Sequence, residues 1–420
     1  MTICLRCAYF TSLLTKKYIK IRVRPVVVAE RGPTGTAKRP RDRKAQIADA
    51  AGGMFRELGY HRVGIEDIAG AVGITGRAIY RHFANKQDLL AHVVSDGLAR
   101  LEHTADEQPE GDLDALVTGL AAVMLESRNL GVLVQREARH LPDADQAQIS
   151  RRTETVVATI ASALRTNRPD LTADDADVLA RGAFAVLASP SYHAVVLPRP
   201  AGEDLLTRMA GAALASPALP RPAGTAPAVE FDDSAPAERA SRREAVLAAA
   251  IELFGRQGYA DVRMEDVGAA SGITGPSVYQ HFAGKADLLM AILNRGAEWL
   301  QLGVSQAFAA GGDAATTLRL VVRSYVDHLR QHDDLMRVFL SETIYLPDDE
   351  RHAIRRVQHE YLAEWVRLLE AARSDLTPAE ARFVVQGAVA LLNDHVHDDG
   401  RARAGTDDVL VQLSLEVLGL

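Results

Sequence analysis

Sliding the chain against itself by 199 positions aligns Arg43 to Leu90 with Arg242 to Leu289 without a gap, and roughly 22 of those 48 pairs are identical. A repeat of this quality decides the architecture before any single residue does. One copy reads Gly59-Tyr60, Glu66-Asp67, Gly73-Ile74-Thr75-Gly76, Tyr80, His82-Phe83-Ala84, Lys86 and Asp88-Leu89-Leu90. The other reads Gly258-Tyr259, Glu265-Asp266, Gly272-Ile273-Thr274-Gly275, Tyr279, His281-Phe282-Ala283, Lys285 and Asp287-Leu288-Leu289. The likeness returns downstream at an offset of 205, where Glu137, Leu141-Pro142-Asp143, Gly182-Ala183 and Leu187 meet Glu342, Leu346-Pro347-Asp348, Gly387-Ala388 and Leu392. The repeated unit is therefore about half the chain.

Residues 216–240 between the copies carry Pro217, Pro220, Pro222, Pro227 and Pro236 among Ala and Gly, a composition that cannot continue a helix. Elsewhere apolar residues recur at three- and four-residue steps, as in Ile354, Val357, Tyr361, Trp365 and Leu368, and alternating strand patterns are missing. The expectation is an all-α chain: a basic tail over 1–40, a first motif-bearing unit over 41–90 and a first helical domain over 91–215. The linker (216–240), a second such unit (241–289) and a second helical domain (290–420) follow.

Within the first copy, Ile47, Ala50, Ala51, Met54 and Phe55 share one helix face, and Gly59 ends that helix. A short amphipathic stretch from Ile65 to Val72, then Gly73, then Thr75 to Phe83, reads as a helix-turn-helix whose second helix enters the major groove. Gly73 suits the positive φ of the turn, Ile74 plugs the interhelix core and Thr75 caps the second helix. Gly76, Arg77, Tyr80 and Arg81 are then left to face DNA.

These residues resemble the tetracycline repressor family of bacterial regulators: Asp67-Ile68-Ala69, Val72-Gly73-Ile74-Thr75, Ile79-Tyr80-Arg81-His82-Phe83 and Lys86, nearly all repeated from Asp266. The resemblance implies a double-stranded DNA partner and two sets of contact residues. They are Thr75, Gly76, Arg77, Tyr80, Arg81, His82 and Lys86, and Thr274, Gly275, Pro276, Ser277, Tyr279, Gln280, His281 and Lys285. Tyr80, His82 and Lys86 with Tyr279, His281 and Lys285 are expected on phosphates. Arg77 and Arg81 sit where base edges are read, a phosphate or solvent contact being the alternative. Phe83 and Phe282 are expected in the core. The resemblance also implies that 41–90 and 241–289 are DNA-reading units and that 91–215 and 290–420 are effector and dimerisation domains, with a small-molecule effector, repression as the commoner mode, and dimerisation either between the halves of one chain or between chains.

Departures from the pattern carry information. Gly64 and Arg263 replace the usual threonine cap, so those helix starts should be weaker. Arg77 and Arg81 become Pro276 and Gln280 in the second copy; because Arg favours guanine and Gln adenine, the halves should prefer unlike half-sites. Residues 41–90 hold eight basic and six acidic residues against five and six in 241–290, so the second unit should grip phosphate less. Its Pro276 and acidic balance keep open a second function class, a protein-interaction module in which one or both units no longer bind DNA.

The net charge of −7 is uneven: residues 1–44 hold twelve Lys and Arg against two acids. That end, with Lys38, Arg39, Arg41, Arg43 and Lys44, is either a minor-groove arm or a disordered tail. Residues 1–28 resemble nothing in the family, and the natural start is expected downstream.

Cys4 and Cys7 alone make no disulfide framework and only a lone C-x-x-C, which fits a reducing cytoplasm without metal. No apolar run reaches a membrane span, and no H-E-x-x-H, G-x-S-x-G or phosphate-cradling glycine loop marks an enzyme. No cofactor is expected. The small-residue runs Gly182-Ala183-Phe184-Ala185 and Gly387-Ala388-Val389-Ala390 suit close helix approach in a dimer bundle or ordinary core packing.

Arg136-Glu137-Ala138-Arg139-His140-Leu141-Pro142 is similar to segments in members that answer lipid or acyl-thioester ligands. Trp299, Phe339, Tyr345 and Trp365 are candidate pocket residues, though plain core is the commoner fate of such aromatics. The run from His395 to Asp399 reads as a solvated helix end before it reads as a metal site.

Overall fold

The computed structural model describes residues 41–109, 111–217, 241–394 and 406–420. Cys4, Cys7, the basic tail through Arg39, nearly all of the expected linker and the His395 to Asp399 run lie outside the described residues. By its contacts the chain divides after Arg43, and the packing below is that of the body Lys44–Leu420. No strand occurs among the described residues.

The first half contributes α1 (Arg41–Leu58), α2 (Ile65–Ala71), α3 (Gly76–Ile79), α4 (Lys86–Glu107), α5 (Leu113–Glu126), α6 (Leu130–Val132), α7 (Asp143–Asn167), α8 (Ala173–Ala188) and α9 (Arg199–Ala215). The second repeats the order with α10 (Arg242–Gln257), α11 (Met264–Ala270), α12 (Gly275–Val278), α13 (Lys285–Ala310), α14 (Ala314–Gln331), α15 (Asp333–Ser341), α16 (Asp348–Ala372), α17 (Pro378–Asp394) and α18 (Thr406–Leu418).

Local chemistry sets these boundaries. Ile47, Ala51 and Phe55 are fully buried at four-residue steps, and Gly59 ends α1 at φ +81°, a conformation costly for any residue with a Cβ. Ser241, Asn85, Asp112, Thr172 and Asp313 each accept a first-turn N–H at the head of a helix.

What joins the halves is a layer of helices from both. α8 packs on α17, and α9 on α18. A Cβ at Gly182 would lie 3.3 Å from Leu413 and 3.5 Å from Leu391, while one at Gly387 would fall 2.0 Å from the terminal methyl of Met209. Each half's glycine thus receives a side chain of the other. Leu391 and Leu413 are buried there, each worth about 1.5–3 kcal/mol. The small-residue runs therefore serve helix approach between halves. Around this layer the Gln412 amide donates to the Ser216 hydroxyl at 2.8 Å, and His193 meets Phe383 edge-on at 5.1 Å.

Duplicated sequence has not made identical halves. A Cβ at Gly255 would sit 2.8–2.9 Å from Asp334, backbone included, so glycine lets α10 lie directly on α15. Its counterpart is Arg56, whose guanidinium donates to the carbonyls of Ser191 and His193 at 3.0 and 3.1 Å. The stretch after α6 also differs, winding as a π turn over Leu133–Glu137 where the second half continues α15, although both halves then close in a tight turn, over Ala138–His140 and Glu342–Tyr345.

His193 is nearly buried, and its Nδ1 accepts the Val195 N–H at 3.1 Å. Burial, then the charges of Arg128 and Arg56, push its pKa down to about 3. The folded state keeps it neutral while the unfolded chain takes up a proton near 6.5. Stability is therefore full above about pH 6.5 and is lost as pH falls toward 3. Urea unfolding at pH 7 and pH 5 should show a loss of about 1–2 kcal/mol from this residue, and His193→Gln should remove that increment of pH dependence.

Candidate nucleic-acid interface

Each reading unit is three short-range decisions in sequence. Gly73 and Gly272 take φ +68° and +71° in the turn, and Ile74 and Ile273 fold back so that their N–H groups donate to Ala69 and Gly268 at 2.9 Å. Phe83 and Phe282 are buried, as the pattern implied. The expected weak starts of α2 and α11 are compensated: the Asp67 and Asp266 carboxylates accept the N–H of Gly64 and Arg263, each at 2.7 Å.

Two expectations need correction. The second helix is not continuous from Thr75 to Phe83; α3 spans only Gly76–Ile79 and turns carry the chain on. Thr75 stands at its N-cap, yet its hydroxyl makes no capping bond, and the Thr274 hydroxyl pairs with that of Ser277 at 2.8 Å.

Outward from this frame point Thr75, Arg77, Tyr80 and Arg81, with Thr274, Pro276, Tyr279 and Gln280 opposite them in the repeat. Tyr80 and Tyr279 are 55% and 51% exposed, unusual for large aromatic rings. His82, His281 and Ser277 are half-buried at the edge. Gly76, expected to face DNA, is instead buried against α2: its N–H donates to Glu66 at 3.2 Å, and a Cβ there would strike that carboxylate at 2.1 Å. Gly275 is half-buried against Glu265 in the same way.

Lys86 has a second employment that sequence reasoning missed. Its ammonium donates to the carbonyls of Tyr60 and Val63 at 2.8 and 3.0 Å and lies 4.1 Å over the Tyr60 ring. Lys285 repeats this on Ala260 and Tyr259. Burial lowers the pKa of both. Each lysine ties the α1–α2 or α10–α11 loop to the helix that follows the reading turn.

The same loops are anchored from the effector side by Glu137 and Glu342, equivalent residues that are 0% and 1% exposed. Glu137 accepts the Tyr60 N–H at 2.9 Å, and Glu342 the Tyr259 N–H at 3.4 Å. Arg136 pairs with Glu137 and also donates to the carbonyls of Phe55 and Arg56 at the end of α1. Burial works against the charge of Arg139, but Glu342, 2.7 Å away, more than restores it. The signal was present as a carboxylate repeated at the offset of 205; its partners were not.

Arg136 also borders a cleft of about 1640 Å³ between the halves. Arg56 and Arg128 line its first-half wall; Tyr325, Phe339 and Tyr361 line the second. Of the four candidate pocket aromatics only Phe339 is on this wall. Trp365 is fully buried, Tyr345 stacks on Tyr259 and Trp299 lies on His332. Burial lowers the pKa of Arg355, with the nearby charges of Arg351, Arg136 and Arg62 acting in the same direction. No group of three or more His, Cys, Asp and Glu able to hold a metal occurs among the described residues, and no single helix there is long and apolar enough to cross a membrane.

Comparison with known proteins places this geometry. Residues 47–93 and 246–292 each match the family model described as bacterial regulatory proteins, tetR family, and residues 311–397 match the tetracyclin repressor-like C-terminal domain. The HTH-type transcriptional activator FasR of Mycolicibacterium smegmatis is 31% identical over 156 residues, 37% of this chain and 71% of that one. The HTH-type transcriptional repressor KstR2 of Rhodococcus jostii is 25% identical over 138 residues, 33% of this chain and 68% of that one. Among solved structures, the ketosteroid regulator KstR2 of Mycobacterium tuberculosis aligns over 43% of this chain and 94% of its own, at 20% identity and a TM-score of 0.38.

Because Arg77 is exposed and Lys86 is tied inward, their substitutions should separate. Arg77→Ala should leave the thermal midpoint unchanged, whereas Lys86→Met, losing two partly buried hydrogen bonds, should lower stability by roughly 1–3 kcal/mol in thermal or urea melts. Equal melting curves for the two variants would contradict this assignment of Lys86.

Proposed function

The chain belongs to the tetR family of bacterial regulatory proteins, DNA-binding transcription regulators rather than enzymes, and on that premise we propose that one chain acts as a family dimer. Its two halves read two unlike half-sites, with Thr75, Arg77, Tyr80, Arg81 and His82 on one and Thr274, Pro276, Ser277, Tyr279, Gln280 and His281 on the other. Lys86 and Lys285 serve by holding the reading turns, with their remaining donors, one and two respectively, toward phosphate. The carrying observation is that both exposed tyrosine-bearing turns belong to one packed body joined through α8, α9, α17 and α18. Bound over a promoter in the cytoplasm, such a body represses.

The effector site in this reading is the cleft between the halves. Its arginines and aromatic floor favour an apolar ligand bearing an anionic group, such as a lipid-like acid or acyl thioester. The similarity to a Bacillus subtilis protein named fatty acid metabolism regulator, 28% identical over 108 residues and covering 56% of it, is in keeping with that class. Arg136, at once on the cleft wall and bonded to the end of α1, supplies a route from ligand to reading unit.

The test is a protection footprint on DNA upstream of the chain's own gene and on random genomic fragments. The unaltered protein should protect two dissimilar half-sites; Arg77→Ala/Arg81→Ala should lose one and Tyr279→Ala/Gln280→Ala the other. Light scattering should give the mass of one chain in solution. Retention of both half-sites by the second variant would favour a second unit that makes only protein contacts, as exposed Pro276 in place of Arg77 allows. Absence of any salt-dependent protection would sink the DNA-reading proposal for both units.

A further inference from the structure

Where the reading units meet the body, each half reaches across to the other. Ile344, in the second effector domain, lies over Gly59 at the end of α1, where a Cβ would fall 2.8 Å from its Cδ1. Arg139, the equivalent residue of the first effector domain, lies over Gly258 at the end of α10, where a Cβ would fall 3.3 Å from its Nη1. Both glycines have positive φ, so the crossing occurs where the chain is already restricted to glycine.

The crossings are reinforced differently. Arg139 continues to the buried Glu342 at 2.7 Å, and Glu342 accepts the N–H of Tyr259 in the second reading unit. On the other side Arg62, in the α1–α2 loop of the first unit, donates to the Ile344 carbonyl at 3.4 Å and to Asp348 at 3.2 Å. Each reading unit is thus gripped by its own effector domain through a buried glutamate and by the opposite half through residue 139 or 344.

We infer that Arg139 with Glu342, and Ile344 with Arg62, form a reciprocal clamp that fixes the separation and phase of the two reading turns and so determines the half-site spacing the protein accepts. The inference rests on the proposed reading of two half-sites but concerns a different property, spacing rather than base preference. Spacing is demanding because each inserted base pair moves a half-site by about 3.4 Å and rotates it by about 35°. A body whose units pivoted freely would tolerate such changes; a clamped one does not. The residues act on position, not on DNA: none is among the exposed residues of the turns.

The test uses Ile344→Ala, Arg62→Ala and the double variant Arg139→Met/Glu342→Gln, which removes both charges yet keeps an acceptor for the Tyr259 N–H. Arg62→Ala, at a partly exposed side chain, guards against variants that fail to fold. Spin labels at Ala84→Cys and Ala283→Cys, equivalent exposed positions, in a chain with Cys4 and Cys7 replaced by Ser, report the distance between units without DNA. Affinity is measured separately, on unlabelled protein, for operators with zero to four base pairs inserted between half-sites.

The unaltered protein should give a narrow distance distribution and lose at least about tenfold in affinity on a two-base-pair insertion. Folded clamp variants should broaden the distribution and bring that loss within about threefold, with affinity at the native spacing changed far less. Unchanged distance width and unchanged spacing dependence in Ile344→Ala and Arg62→Ala would overturn the clamp. If the unaltered protein binds no DNA at all, the regulator reading falls, and the distance distributions alone decide whether the clamp exists.

Discussion

Everything this chain does as a single body depends on the apolar contact between α8, α9, α17 and α18. A helix carrying Gly-Ala-Phe-Ala or Gly-Ala-Val-Ala has too little side chain to bury surface alone, but it lets another helix come near enough to bury leucine and methionine in its place. Gly182 receives Leu391 and Leu413, and Gly387 receives Met209. Linking the partners covalently replaces a concentration-dependent association with an intramolecular one, so the joined state persists at any dilution. The cleft, the cross-half ion pair and the fixed relation of the reading turns all require that joining.

Duplication followed by divergence then gives what identical subunits cannot have. Gly255 lets α10 lie on α15, whereas Arg56 in the matching place spends its donors on the carbonyls of Ser191 and His193 and lines the cleft. Glu137 is neutralised from within its own half by Arg136, and Glu342 from the opposite half by Arg139. A buried carboxylate left without its cation costs about 3–5 kcal/mol, so the second reading unit depends on the first half in a way the first does not reciprocate. Arg77 and Arg81 facing Pro276 and Gln280 carry the same asymmetry to the surface that would meet DNA.

Much of each reading unit was legible from spacing because its determinants are local. Gly73 and Gly272 take the left-handed turn, Phe83 and Phe282 enter the core, and Tyr80 and Tyr279 stay outside, as period and turn chemistry require. Gly76 and Lys86 were legible only as members of a pattern. The first turned out buried against Glu66 and the second tied to the loop at Tyr60 and Val63, because a carboxylate ten residues away and backbone carbonyls twenty-six and twenty-three residues away took their hydrogen-bonding capacity. Tyr325, Arg56 and Arg128 drew no notice, and Tyr361 only as one step of a helical period, since one wall of a cleft has no periodicity of its own.

The sequence by itself determined that there are two units, that each is helical with a glycine turn and an exposed tyrosine, and that they differ at Arg77 and Arg81 against Pro276 and Gln280. These follow from repeats, periods and φ preferences acting over a few residues. Only the tertiary structure decided that Arg139 answers Glu342, that Ile344 covers Gly59, and that arginines of one half share a cleft with aromatics of the other. Those partners stand about two hundred to three hundred residues apart, and no local rule links them; they meet because two halves buried their glycine-lined helices against each other and brought everything attached to them into register.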